Sequence, residues 1–171
     1  TSGKLESGVL NHPNAQIEKV SATWDLWGVT PDMKKLNGDA QFGVGSGKLS
    51  DVKDLALQSP VVKVLTYPIL IIQKLSFGVD LNRITEVKIA GDYLFKDGIM
   101  TLRKSDMESS VAQVSAAGTI DIPAELLDLT VTAQVGRLAP VDVAVTGTVA
   151  SPKTKVKLGK FIGDLLRKNS D

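Results

Sequence analysis

The sequence predicts a mainly β domain: an antiparallel sheet with one apolar and one polar face, accompanied by two or three short helices. Three observations predict it. Apolar residues recur at every second position over long stretches, the pattern of strands whose alternate side chains face core and solvent. An Asp-Gly pair stands between two such stretches, a strong signal for a two-residue hairpin turn. Helical spacing is confined to one central segment and the C-terminal end.

Taken in order, Val20, Ala22, Trp24 and Leu26 share one face, opposite Ser21, Thr23 and Asp25. Leu36, Gly38, Ala40, Phe42 and Val44 continue the alternation. Ser50-Asp51 caps a short helix through Val52 and Leu55. Ser59-Pro60 opens a second, with Ser as N-cap and Pro at the first helical position. Leu65, Ile69, Ile72 and Leu75 keep roughly helical spacing, Pro68 kinks or interrupts it, and Ser76-Phe77-Gly78 ends it. Asp97-Gly98 then turns Tyr93-Leu94-Phe95 back onto Ile99-Met100-Thr101-Leu102. Leu127, Leu129, Val131, Ala133 and Val135 alternate with Asp128, Thr130, Thr132 and Gln134, and Val141, Val143, Val145 and Val149 follow suit. A last short helix carries Phe161, Ile162, Leu165 and Leu166 on one face, with Lys160, Asp164 and Arg167 outside. Helices are thus expected only over about 50–76 and 159–168.

Two pairs of segments echo one another. Gly118-Thr119-Ile120-Asp121-Ile122-Pro123 resembles Gly147-Thr148-Val149-Ala150-Ser151-Pro152, and Leu36 to Phe42 resembles Ile89 to Phe95. Together they suggest a sheet built from similar strand units laid side by side. No linker or low-complexity tract divides the chain, so residues 1–171 are read as a single domain.

Composition excludes several functions. With 20 Lys and Arg against 19 Asp and Glu, the net charge of +1 lacks the basic excess of a phosphate-held nucleic-acid binder. The absence of cysteine removes disulfides, zinc-thiolate sites and cysteine nucleophiles. The single histidine, His12, stands in a turn-like Asn-His-Pro-Asn stretch without partners for a metal or a catalytic triad. Gly43-Val44-Gly45-Ser46-Gly47-Lys48 fails as a phosphate loop, because Phe42 occupies the place of the first Gly and Leu49 that of the magnesium-binding Ser or Thr. It reads as a glycine-rich strand end. Asp51 and Asp54 suit a helix start rather than a catalytic pair. Neither enzyme activity, nor a metal, nor a cofactor is expected. The polar start Thr1-Ser2-Gly3-Lys4 reads as the middle of a longer product, and the uncharged run from Val64 to Gln73, broken by Pro68, falls short of the ~20 residues of a membrane-spanning helix.

Two segments carry a functional alternative beside the plain one. The apolar stretch Val61 to Leu75 either covers one end of the sheet or touches lipid. The basic residues Lys153, Lys155, Lys157, Lys160, Arg167 and Lys168, with Asp164 the one acid among them, form a solvated face or contact an anionic membrane surface.

The C-terminal half resembles the AsmA-like family of Gram-negative envelope proteins, in its C-terminal region. The carrying stretches are Phe95-Lys96-Asp97-Gly98-Ile99-Met100-Thr101, Met107-Glu108-Ser109-Ser110, Ala117-Gly118-Thr119-Ile120-Asp121-Ile122-Pro123, Glu125-Leu126-Leu127-Asp128-Leu129, and Val143 through Gly147-Thr148 to Pro152-Lys153. Upstream, Leu36-Asn37-Gly38 through Gly47-Lys48-Leu49 and then Leu75-Ser76-Phe77 follow in the expected order. The likeness spans about residues 36–157. It implies a periplasmic domain whose full-length protein is anchored in the inner membrane by an N-terminal helix. It also implies kinship with TamB-type envelope proteins, a curved sheet with an apolar concave trough (a β-taco), and a part in phospholipid transport and outer-membrane integrity. The family brings no catalytic residues.

On that reading the apolar strand members Trp24, Phe42, Leu129, Val131, Val143 and Val145 line a groove for phospholipid acyl chains, and the basic end meets anionic head groups. The same alternation equally serves a closed core. A structural or interaction module that adds strands to an envelope protein through its sheet edges is the alternative function.

Overall fold

The computed structural model describes residues 2–12, 15–46 and 86–157. They form nine strands: β1 (Ser2–His12), β2 (Ala15–Trp27), β3 (Asn37–Ser46), β4 (Val87–Lys96), β5 (Ile99–Ser109), β6 (Ala112–Asp121), β7 (Leu126–Val135), β8 (Val141–Thr148) and β9 (Pro152–Val156). All nine belong to one sheet whose spatial order is the sequence order, each strand antiparallel to the next. The mainly β, antiparallel expectation is met, and no helix occurs among the described residues. The helices expected over 50–76 and 159–168, including Val61 to Leu75, lie outside the described residues, as do Asp51 and Asp54. His12, expected in a turn-like stretch, is instead the last residue of β1 and pairs with Ala15 of β2.

The hairpin at Asp97-Gly98 forms as expected. Both residues take positive φ, 49° and 77°, which is what a type I′ turn requires and why Asp-Gly suits it. This turn is also tied sideways. The Gly98 N–H donates to the Leu36 carbonyl at 2.9 Å, and the Gly98 carbonyl accepts from the Ile122 N–H at 3.0 Å. The Val149 N–H donates to the Glu125 carbonyl at 2.9 Å. Successive turns at this end of the sheet therefore satisfy one another's backbone groups. The echoed segments Gly118 to Pro123 and Gly147 to Pro152 occupy matching places here, closing β6 and β8. The other echo falls on β3 and β4, which are neighbours but run in opposite directions.

One irregularity sets the faces of β5. Against β4, Tyr93 pairs with Leu102 while Asp92 pairs with Lys104, so β5 carries one extra residue. The shift reappears against β6, between Leu102 and Asp106. Such a bulge flips the alternation of the strand that carries it. Met100 and Leu102 face one way before it, and Ser105 and Met107 face the same way after it, all four buried. Arg103 and Lys104 both stay on the exposed side. An unbroken alternation would have turned Lys104 into the core beside Leu102.

Candidate functional site

The strand register arranges the apolar members into rows that cross the sheet. One row runs Trp24, Ala40, Tyr93, Leu102, Gly118, Leu129 and Val145, from β2 to β8. The next runs Leu26, Gly38, Phe95, Met100, Ile120 and Leu127. Ala40 and Gly118 in the first row and Gly38 in the second leave room for the bulky side chains beside them, whereas Phe95, Met100, Ile120 and Leu127 follow one another as an unbroken bulky run. These residues belong to one continuous hydrophobic cluster that extends from Val20 to Val145. With strands about 4.8 Å apart, the face measures roughly 29 Å from β2 to β8.

All six groove candidates lie on this face. Leu129, Val131, Val143 and Val145 form a contiguous block on β7 and β8, where Leu129 pairs with Val145 and Val131 with Val143. Phe42 stands on β3 between Ala22 and Gly91. Trp24 is half-buried at the β1 side, and Gly3 opposite it leaves room for the indole that a Cβ would fill. Phe42, Leu129, Val131, Val143 and Val145 are buried, Val131 and Val145 at 0% exposure. The block on β7–β8 and the pair on β2–β3 are separated by three strands. The six thus share a face without forming a single contact site.

The basic candidates divide. Lys153 and Lys155 sit at alternate positions of β9, opposite Thr146 and Ala144, on the polar face, and Lys157 follows beyond its end. The Lys157 ammonium donates to the Thr130 hydroxyl at 2.7 Å. Lys160, Arg167 and Lys168 lie outside the described residues. β9 is an outermost strand, and a short strand with Pro152 and lysines is the usual protection of a free sheet edge. The Gly43 to Ser46 segment is a strand end in β3, as read from sequence.

Sequence reasoning missed a polar spot within the apolar face. Tyr93 is 0% exposed, and its ring lies back along β4 over Gly91, where a Cβ would collide with it. The phenol oxygen makes no well-formed hydrogen bond among the described residues. An unmet buried hydroxyl costs about 1–3 kcal/mol. Burial pushes the Tyr93 phenol up to about 12, partly offset by the hydroxyl of Ser105, with Asp106 and Asp92 adding to the rise. Ser105, opposite Gly91, is the buried polar residue of this face. The signal for Ser105 was present in the sequence: the apolar positions of β5 change from even (Met100, Leu102) to odd (Met107), which marks an inserted residue.

The opposite face is polar. Arg103 reaches from β5 across two strands, donating to Asp39 at 2.6 Å and to Asp92 at 2.7 Å. Its hydrogen bond to Asp92, seconded by Asp39, raises the guanidinium pKa further. Asp32, in the loop before β3, is held below the ordinary carboxylate range by hydrogen bonds from the Thr30 hydroxyl and the Lys34 N–H. A shallow groove of about 340 Å³ is lined by the polar residues Asp106, Glu108, Gln113, Ser115, Thr132 and Gln134 together with Met107, Val114 and Pro140. Its mixed, acid-bearing lining differs from the aliphatic surface of the opposite face. Among the described residues, no group of three or more His, Asp or Glu stands close enough to hold a metal ion.

No family model matches this chain, and no curated protein or solved structure matches it significantly.

Proposed function

We propose that this chain is a non-enzymatic envelope domain of the AsmA-like kind, which holds phospholipid acyl chains along the apolar face of its sheet and so contributes to lipid transport to the outer membrane. The observation that supports this reading most is the extent of the apolar face: one cluster spans β2 to β8, composed mainly of aliphatic side chains. Such a surface suits fluid hydrocarbon without demanding a particular shape, and each buried methylene contributes about 0.8 kcal/mol. The face is shielded from water within the chain, so the reading requires that this shielding be exchangeable for lipid. Lys153, Lys155 and Lys157 at the β9 edge would meet anionic head groups, each contributing on the order of 1 kcal/mol. The setting would be the periplasm, with the whole protein tethered to the inner membrane by an N-terminal helix.

The test is photo-crosslinking in cells. A reactive group at Val131 or Val143, on the apolar face, should capture phospholipid, whereas one at Thr130 or Asp142, on the polar face, should not. Labelling that is absent everywhere, or equal on both faces, overturns the proposal. The second reading, an interaction module, is favoured by one observation: β1 and β9 are the outer strands, and β1 offers an edge eleven residues long for strand addition. A saturable protein partner whose binding is lost on placing proline within β1, with no lipid captured, would put that reading first.

A further inference from the structure

Tyr93 presents a chemistry that the apolar face does not otherwise have. Phenylalanine would fill the same space, yet the chain keeps a hydroxyl there, buried at 0% exposure and without a hydrogen-bond partner among the described residues. The ring is laid down over Gly91, which brings the oxygen beside Phe42 and Ser105, the residues paired with Gly91 on β3 and β5. The bulge in β5 is what turns Ser105 to this side. The result is a neutral donor in the middle of the apolar rows, three strands from Leu129 on β7 and four from Val145 on β8.

We infer that the Tyr93 hydroxyl is a hydrogen-bond donor to the ester carbonyl of a bound acyl lipid, fixing where along the face the glycerol end of that lipid comes to rest. This rests on the lipid-holding reading above. The acceptor must satisfy two conditions. It must be neutral, because the same burial that opposes the tyrosinate opposes a bare carboxylate or phosphate placed there. It must also be joined directly to a hydrocarbon chain, because apart from the Ser105 hydroxyl the flanking positions, Ala40, Leu102 and Phe42, offer only apolar contact. An acyl ester meets both conditions. A free fatty acid, carried as the carboxylate, fails the first, and an alkane has no acceptor. Phospholipids and neutral acylglycerols share the ester, so the experiment includes both.

The test compares an ester with its ether. The 171-residue chain is loaded with a pyrene-labelled phosphatidylglycerol, which is then displaced by dipalmitoyl phosphatidylglycerol or by the dihexadecyl ether lipid with the same head group. The wild-type chain should prefer the ester about three- to tenfold, the range of one net hydrogen bond. Tyr93→Phe should bind both lipids equally, at the level of the ether, while melting no lower than wild type because it removes only an unpartnered group. Dipalmitoylglycerol displacing as well as the phospholipid would make the ester sufficient; weaker displacement would add a head-group contact to it. A wild-type chain indifferent to ester and ether, or a Tyr93→Phe chain that keeps the preference, overturns this inference and leaves the lipid reading in place. Failure of the pyrene lipid to load at all overturns both.

Discussion

Val131→Asp, set against Thr130→Lys, tests the assignment of faces most severely. Val131 is 0% exposed and paired on either side with Ala116 and Val143. Removing its side chain from the apolar face forfeits roughly 1.5–3 kcal/mol of burial. The new carboxyl finds no charged partner in that row, so burial raises its folded pKa well above the unfolded 3.9; a rise of about three units corresponds to ~4 kcal/mol at neutral pH. Together the losses reach about 6 kcal/mol, within the 5–15 kcal/mol that holds a typical domain together. The sign of the pH dependence follows from the raised pKa. The folded state keeps its proton where the unfolded state has lost it, so the variant is least impaired near pH 4 and loses stability as pH rises toward the folded pKa. Thr130→Lys, half-buried on the polar face, removes the hydroxyl that accepts from Lys157 and should cost about 1 kcal/mol, far less than Val131→Asp. Urea unfolding followed by circular dichroism at pH 4 and pH 8 measures both. Similar midpoints for the two variants, or a Val131→Asp midpoint that does not fall with pH, would refute the burial argument and with it the register of β7.

Other outcomes follow from the same geometry. Because the Tyr93 phenol is pushed up to about 12 from an ordinary 10, its contribution is intact below pH 10 and lost between about pH 10 and 12; over that window wild type should lose ~2–3 kcal/mol relative to Tyr93→Phe, read as diverging urea midpoints. Arg103→Gln should cost under about 1 kcal/mol, and 1 M salt should abolish most of the difference, since its ion pairs with Asp39 and Asp92 are substantially exposed. Deleting Lys104 should make β5 regular while leaving Leu102, Ser105 and Met107 on the buried side. Deleting Asp106 should also remove the bulge but turn Lys104 inward, so its melting temperature should fall well below that of the Lys104 deletion.

The alternation made β2, β3, β7 and β8 readable with their faces, because the one-sided burial of an antiparallel sheet writes itself as period two. Asp97-Gly98 made one turn readable because few dipeptides accept two positive φ angles. β1 was not legible: Leu5, Glu6, Ser7, Gly8 and Val9 do not alternate, and its place is set by pairing with β2 rather than by its own pattern. The hydroxyl of Tyr93 was equally hidden. Tyr93 reads as one more apolar strand member beside Phe95, and only the packing over Gly91 determines whether its oxygen meets a partner. The six groove candidates could be placed on one face from sequence, but not their separation into two groups, which depends on the strand order.

The strictly sequential strand order bears on how the chain assembles. Seven of the eight strand pairings join segments that follow one another closely, so each can zip up from its own turn with little loop-closure entropy. The pairing of β3 with β4 is different, because Val44 and Ile89 must meet across the intervening residues 45–88. β1–β3 and β4–β9 are therefore expected to form first as separate units and to join last along this seam. The polar tethers that cross it acquire a particular importance: Arg103 clasps Asp39 over the top of β4, the Asp97 N–H donates to the Asn37 side chain at 3.1 Å, and the Gly98 N–H donates to the Leu36 carbonyl. They are expected to act as latches on this last joining step. Breaking them should delay closure of the sheet more than it weakens the closed form.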